Sequence, residues 1–261
     1  MSLEFLISKI QKNNFLLIGR AGVDIYPDPP GTKTENAKNY VTHLGGSSAN
    51  MGVQLTLFGG NCNLLTRVSD DALVRLAINQ QNHYGVKNKL VEFEKNESRI
   101  SFAIVETTVK DHQSIIYRHK ASDLFLNNDD IENANIQNFD CVLITGTSLA
   151  AEPSRSATLY ALDIANKNNI PVILDPAPFR KERQIDYYQM ADFITPNETE
   201  AELMTWIKII NKDDAIKAAK ILISKGIKNC VITLGENGAF YMSQNKEKYF
   251  NPHKIKEVKE N

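Results

Sequence analysis

Residues with chemical potential gather in four short segments. In His43-Leu-Gly-Gly-Ser-Ser-Ala-Asn50, two glycines precede a run of small side chains, which lets a ligand approach the backbone closely. If a helix starts here, its free N–H groups favour polar or anionic atoms. Asn50 offers both donor and acceptor to a hydroxyl-rich ligand. A Gly-rich turn with tight helix packing reads the same way. Gly19-Arg-Ala-Gly-Val-Asp24 follows an apolar run and ends on a carboxylate that can accept from two ligand hydroxyls or simply form a turn. In Thr195-Pro-Asn197-Glu-Thr-Glu200, Asn197 and Glu200 are three apart; on a helix they share a face and can hold the hydration shell of Mg²⁺ beside a phosphate. Acidic residues at a helix start also match the helix dipole, and the two readings are compatible. Thr233-Leu-Gly235-Glu-Asn-Gly238 reads as strand, glycine turn and strand, a hairpin signal that gains weight only from its companions.

Several other chemistries lack their motifs. There is no G-x-x-x-x-G-K-[ST] loop, no G-x-G-x-x-G after the first strand, no H-E-x-x-H and no G-x-S-x-G, which disfavours P-loop nucleotidases, dinucleotide enzymes, zinc peptidases and α/β-hydrolases. His43, His83, His112, His119 and His253 lack metal-ligand spacing and read as solvent-facing or packing residues. Cys62, Cys141 and Cys230 form no C-x-x-C pair and read as buried thiols in a reducing compartment. Lys plus Arg at 30 against Asp plus Glu at 31 gives a net charge of -1, which argues against nucleic acid or an anionic membrane as partner. No apolar run approaches the roughly 18 residues of a spanning helix. The expectation is a cytoplasmic protein.

The elements that must position these residues alternate. Phe15 to Gly19, Cys62 to Val68, Cys141 to Thr145, Pro171 to Asp175, Asp192 to Thr195 and Cys230 to Leu234 are nearly continuous apolar runs, as central strands covered on both faces would be. Helical spacing lies between them, over Pro153 to Asn168 and Asp213 to Lys225. The pattern predicts an α/β fold with a mostly parallel, doubly wound sheet in a single domain spanning 1–261. Two stretches, about 20–44 and 97–118, break the alternation with Pro-rich and period-2 sequence and predict a small antiparallel β sheet beside the core. Such an appendage suits a lid, and an ordinary edge hairpin has the same pattern.

Taken in order, these features resemble the PfkB-type sugar kinases, the ribokinase-like family. The resemblance runs through Gly19 to Asp24, Gly45-Gly46 with Ala49-Asn50, Thr66-Arg67-Val68 with Asp70-Asp71, Asp175-Pro-Ala-Pro, Asn197 with Glu200, and Thr233 to Gly238. Within the family it leans toward the kinases of 5-dehydro-2-deoxygluconate in inositol breakdown, on Gly19 to Tyr26, Leu64 to Val68, Tyr117-Arg118, Ala121-Ser-Asp123 and Thr145-Gly-Thr147. In that setting Arg118 would hold the carboxylate of an acid sugar by two parallel hydrogen bonds; the alternative is a lid arginine in solvent. Leu174 to Arg180 looks more like ribokinase and fructokinase relatives. Ribokinase-like, fructokinase-like and 2-keto-3-deoxygluconate-kinase-like substrates therefore stay open.

The resemblance implies a ribokinase-like fold with the sugar on Asp24, Gly45, Gly46 and Asn50 beneath the lid, beside Tyr117 and Arg118. It implies ATP near Thr233, Gly235 and Gly238, with Asn197 and Glu200 organising Mg²⁺ and phosphate, Glu200 through water. It also implies a homodimer through the lid. Phe102, Ile104, Ile115 and Tyr117 alternate so as to cover either the site or the core. The family carries a Gly-Ala-Gly-Asp segment that supplies an anion hole and a base. None occurs in these 261 residues, which close on Ile255 to Asn261. No catalytic base is assigned, and the expectation is a chain truncated at its C-terminus with little kinase activity alone. A non-catalytic sugar- or nucleotide-binding module is the alternative.

Overall fold

In the computed structural model, which describes residues 3–93, 98–107, 111, 113–177 and 186–252, the continuous apolar runs become strands of one central sheet. His112, His253, Pro178 to Arg180 and Ile255 to Asn261 lie outside the described residues. In chain order the strands are β1 Asn14–Ile18, β2 Gly22–Asp28, β3 Asn39–Gly45, β4 Asn61–Val68, β5 Lys87–Phe93, β6 Ser101–Val105, β7 Ser114–Tyr117, β8 Cys141–Thr145, β9 Val172–Asp175, β10 Phe193–Ile194, β11 Asn229–Thr233, β12 Ala239–Ser243 and β13 Glu247–Phe250. The helices are α1 Leu3–Ile10, α2 Ser47–Leu57, α3 Ala72–His83, α4 Asn128–Ala134, α5 Ser154–Lys167, α6 Asp186–Gln189, α7 Glu198–Thr205 and α8 Lys212–Ser224.

The central order is β13-β12-β11-β10-β9-β8-β1-β4-β5, parallel from β11 to β5 and antiparallel through β12 and β13. Alternate residues of β1 serve different cores: Leu16 and Ile18 pack in one cluster, Phe15 and Leu17 in the other. Burial on both faces is why these strands read as unbroken apolar runs. The strand order reverses at β1, which has β4 on one side and β8 on the other. The crevice beyond its carboxyl end is the switch point where open α/β sheets bind ligands.

The second sheet has order β3-β2-β6-β7. It is not purely antiparallel as the sequence suggests, because β2 pairs parallel with β6 while β3 and β7 flank them antiparallel. The Pro-rich Tyr26-Pro-Asp28 is the end of β2, not an irregular loop. Pro27 is tolerated there because β6 pairs only with Gly22 to Ile25, so no ladder bond on that side needs an N–H from position 27.

All three cysteines are free and buried. Burial pushes the Cys230 thiol up to about 12, and the Cys141 thiol up as well, so these two are packing groups. Among the described residues no helix is long and apolar enough to cross a membrane.

Candidate active site

The first half of the site forms where β1 and β8 end and the small sheet begins. Asp24 stands on β2 opposite His43 of β3, and its carboxylate lies over Gly45, where any Cβ would collide with it. Gly46 has φ +96°, and a Cβ there would come within 2.5 Å of the Arg20 carbonyl. That glycine caps α2, whose Ala49 N–H reaches the Arg20 carbonyl at 3.3 Å. Burial pushes the Asp24 carboxyl above its ordinary range, against the pull of Arg20 and His43.

A cluster of hydroxyls backs this cradle. Ser47 Oγ donates to Thr145 Oγ1 at 3.0 Å and lies 3.2 Å from Thr147 Oγ1, while Thr145 and Thr147 are 2.6 Å apart. Ser48 Oγ lies 3.0 Å from Thr145 Oγ1. Arg118 is tied to the same corner, its Nη2 donating to the Thr147 carbonyl at 2.8 Å. Nε and Nη2 both donate to Asp123 Oδ2, the former at 3.0 Å. Arg118 is therefore not a free lid arginine: its side chain is 17% exposed and that of Asp123 3%. Tyr117, half exposed, stacks on Phe102 with centroids 4.7 Å apart.

The second half lies past β10 and β11. Asn197 Oδ1 accepts the Glu200 N–H at 2.8 Å and Glu200 Oε2 accepts the Asn197 N–H at 2.9 Å, a reciprocal cap that starts α7. Asn197 also bridges to Thr233, whose N–H reaches the Pro196 carbonyl at 3.0 Å. The chain then turns, with Leu234 N–H bonded to the Gly238 carbonyl at 2.8 Å. A groove of about 260 Å³ lies alongside, lined by Glu198, Asn211, Lys212, Leu234, Asn237 and Tyr249 among others. Burial pushes the Asp175 and Glu200 carboxyls up, and Asp175 raises Glu200 further. Among the described residues no cluster of three or more His, Cys, Asp or Glu could hold a metal directly. An all-oxygen pair such as Asp175 and Glu200 fits Mg²⁺ that keeps most of its waters.

Asp24, Gly45, Gly46 and Arg118 thus join one connected cluster, and Asn197, Glu200, Thr233, Gly235 and Gly238 lie together at the second. Asn50 lies one helical turn past Gly46, whose carbonyl accepts its N–H at 2.9 Å, and is exposed on α2, lining a groove of about 560 Å³ with His43, Gln54 and His83. Arg20, Asp123 and Asp175 fall within segments that carry the family resemblance, but the sequence assigns them no site role. Arg20 is buried with Nε 2.6 Å from Ser101 Oγ. The available signals were an Arg inside a Gly-flanked strand end, an Asp five residues after Arg118, and an Asp closing a strand.

A family model described as pfkB family carbohydrate kinase matches residues 12–259. The 5-dehydro-2-deoxygluconokinase of Clostridium beijerinckii is 30% identical over 262 residues, covering 96% of this chain and 77% of that protein. The deoxyribokinase of Salmonella typhi is 30% identical over 220 residues, covering 84% of this chain and 70% of that protein. Among solved structures, Arabidopsis thaliana ribokinase complexed with ribose and ATP superposes with TM-score 0.79 at 22% identity, over 94% of this chain and 80% of that one.

Proposed function

The chain belongs to the pfkB family of carbohydrate kinases, and from that premise we propose that it binds ATP with Mg²⁺ and directs phosphoryl transfer to a primary hydroxyl of a sugar, an acid sugar of the 5-dehydro-2-deoxygluconate type being favoured. The observation that carries the acid-sugar reading is Arg118. Its guanidinium is fixed by Asp123 and the Thr147 carbonyl beside the cradle, and Nη1 is left for a ligand carboxylate. With Nε and Nη2 already committed, the two parallel hydrogen bonds expected from the sequence reduce to a charge-assisted contact from Nη1 alone.

In this reading Asp24 accepts from sugar hydroxyls, and Gly45 and Gly46 let the ring lie against the backbone. Asn50 and Tyr117 extend the sugar side. ATP lies over Thr233, Gly235 and Gly238, with its phosphates toward Asn197 and Glu200. Mg²⁺, when bound, neutralises charge on the transferring group; Glu200, aided by Asp175, holds it through water. Most of the acceleration comes from positioning. A general base usually adds about 10²–10⁴-fold. The 261 residues contain no Gly-Ala-Gly-Asp segment, so we infer that a polypeptide of these residues alone binds its ligands and turns over slowly. We place it in the cytoplasm, as a homodimer joined through the exposed Tyr40, Val41, Ile115 and Ile116 of the small sheet.

Calorimetric titration with 5-dehydro-2-deoxygluconate and with 2-deoxyribose tests the reading. Binding of the acid sugar that is lost in Asp24→Asn supports it. Preference for 2-deoxyribose, the sugar type named by the Salmonella relative, would move the substrate to a neutral sugar. Rapid ADP release would overturn the slow-turnover inference.

A further inference from the structure

Two buried polar atoms of the sugar half lack hydrogen-bond partners among the described residues: Arg20 Nη2 and Asp123 Oδ1. Native interiors rarely leave such atoms unpaired, and each one costs about 1–3 kcal/mol unless something meets it. Both side chains are otherwise held. Arg20 is 7% exposed, its Nε donates to Ser101 Oγ on β6 at 2.6 Å, and its Nη2 rests where a Cβ on Gly22 would come within 2.8 Å. Asp123 is 5% exposed, and its other oxygen, Oδ2, takes both donors of Arg118.

The two orphans are complementary and belong to one charged cluster. Of the acidic groups around Arg20, Asp123 acts on it most strongly, ahead of Asp24. They stand on opposite connections between the two sheets, Arg20 between β1 and β2 and Asp123 after β7. A ligand carboxylate could satisfy Arg20 but has no hydrogen to give Asp123 Oδ1. A ligand carbonyl could accept from Arg20 but has nothing to give Asp123. A hydroxyl does both at once.

We propose that Arg20 and Asp123 together read one hydroxyl of the bound sugar, Arg20 Nη2–H donating to its oxygen and its hydrogen going to Asp123 Oδ1. This rests on the sugar-kinase reading above and adds a second hydroxyl reader to Asp24. It makes Arg20 a specificity residue: a sugar lacking that hydroxyl leaves two buried groups unpaired, and polar sites of this kind reject such analogues strongly.

The test is a ligand-by-protein cycle. Dissociation constants of 5-dehydro-2-deoxygluconate, 2-deoxyribose and their analogues lacking one hydroxyl each are measured calorimetrically for the wild type, Arg20→Met, Arg20→Lys and Asp123→Asn, with a melting curve for every variant. In the wild type, removal of one particular hydroxyl weakens binding about tenfold or more. In Arg20→Met the parent and that same analogue bind within about twofold, and Arg20→Lys restores part of the difference. If Arg20→Met does not fold, Asp123→Asn, of equal size, must show the reduced difference at the same hydroxyl. Equal losses for every analogue in wild type and variants overturn the proposal while leaving the sugar-kinase reading intact. A wild type that binds none of these sugars overturns both.

Discussion

Arg118 directs Nε and Nη2 to the same oxygen of Asp123, so the carboxylate holds the guanidinium by one edge, and Nη1 makes no hydrogen bond among the described residues. Both partners are largely buried, and removing one leaves the other charged in a poorly solvated place. Asp123→Ala should therefore cost about 3–5 kcal/mol in urea denaturation. Arg118→Lys keeps the charge but loses the fork that bonds Asp123 and Thr147 together. Its expected effect is a loss of acid-sugar affinity larger than its loss of stability, read by titration alongside melting.

The cap at α7 separates structure from metal binding. Asn197→Ala removes the acceptor of the Glu200 N–H and should cost about 1 kcal/mol in unfolding free energy. Glu200→Gln keeps an oxygen for the Asn197 N–H, so its melting temperature should change little while the stabilisation by Mg²⁺ with ATP disappears.

The raised Asp175 and Glu200 carboxyls fix a pH direction. Without metal, a carboxyl raised in the folded state favours folding while protonated, and that advantage is lost as pH rises through the folded value. Mg²⁺ needs the ionised pair. The thermal stabilisation by Mg²⁺ should therefore grow as pH rises through the raised folded values of the pair, above the ordinary carboxylate range, and a flat or inverse profile would contradict the assignment.

Glu106 has the opposite sign. The Thr34 backbone N–H at 2.8 Å, first among its causes, and the Gln113 N–H at 3.1 Å hold its carboxyl below the ordinary range. Its stabilising effect on the small sheet is present above the unfolded value and is lost as pH falls through the folded one. Hydrogen exchange at Thr34 and Gln113, corrected for intrinsic rates, should lose protection on acidification, and Glu106→Gln, which keeps one carbonyl oxygen, should lose protection at one of the two amides at neutral pH.

Gly46→Ala places a Cβ against the Arg20 carbonyl at φ +96°, a strain of about 1–3 kcal/mol. Gly45→Ala instead displaces the Asp24 carboxylate. The former should lower the melting temperature, and the latter should weaken sugar binding more than stability.

The central sheet was legible because two-sided burial writes itself as continuous apolar runs, as in Cys141 to Thr145, where every residue is buried. The start of α7 was legible because Asn197 and Glu200 carry a local cap in their spacing. The parallel pairing of β2 with β6 was not, since it joins segments some eighty residues apart and no local pattern encodes direction. The same separation hid Arg20, whose partner Ser101 lies on another strand. Arg118 was legible as a residue but not as one anchored by Asp123, because a period-2 strand does not reveal what the side chain just past its end meets.

The most direct test of the account is a calorimetric titration of the 261-residue polypeptide with 5-dehydro-2-deoxygluconate, run beside Asp24→Asn and Arg118→Lys. One-to-one binding is expected, abolished by Asp24→Asn and weakened about tenfold or more by Arg118→Lys. Absence of binding in the wild type, or equal binding in all three proteins, would contradict it.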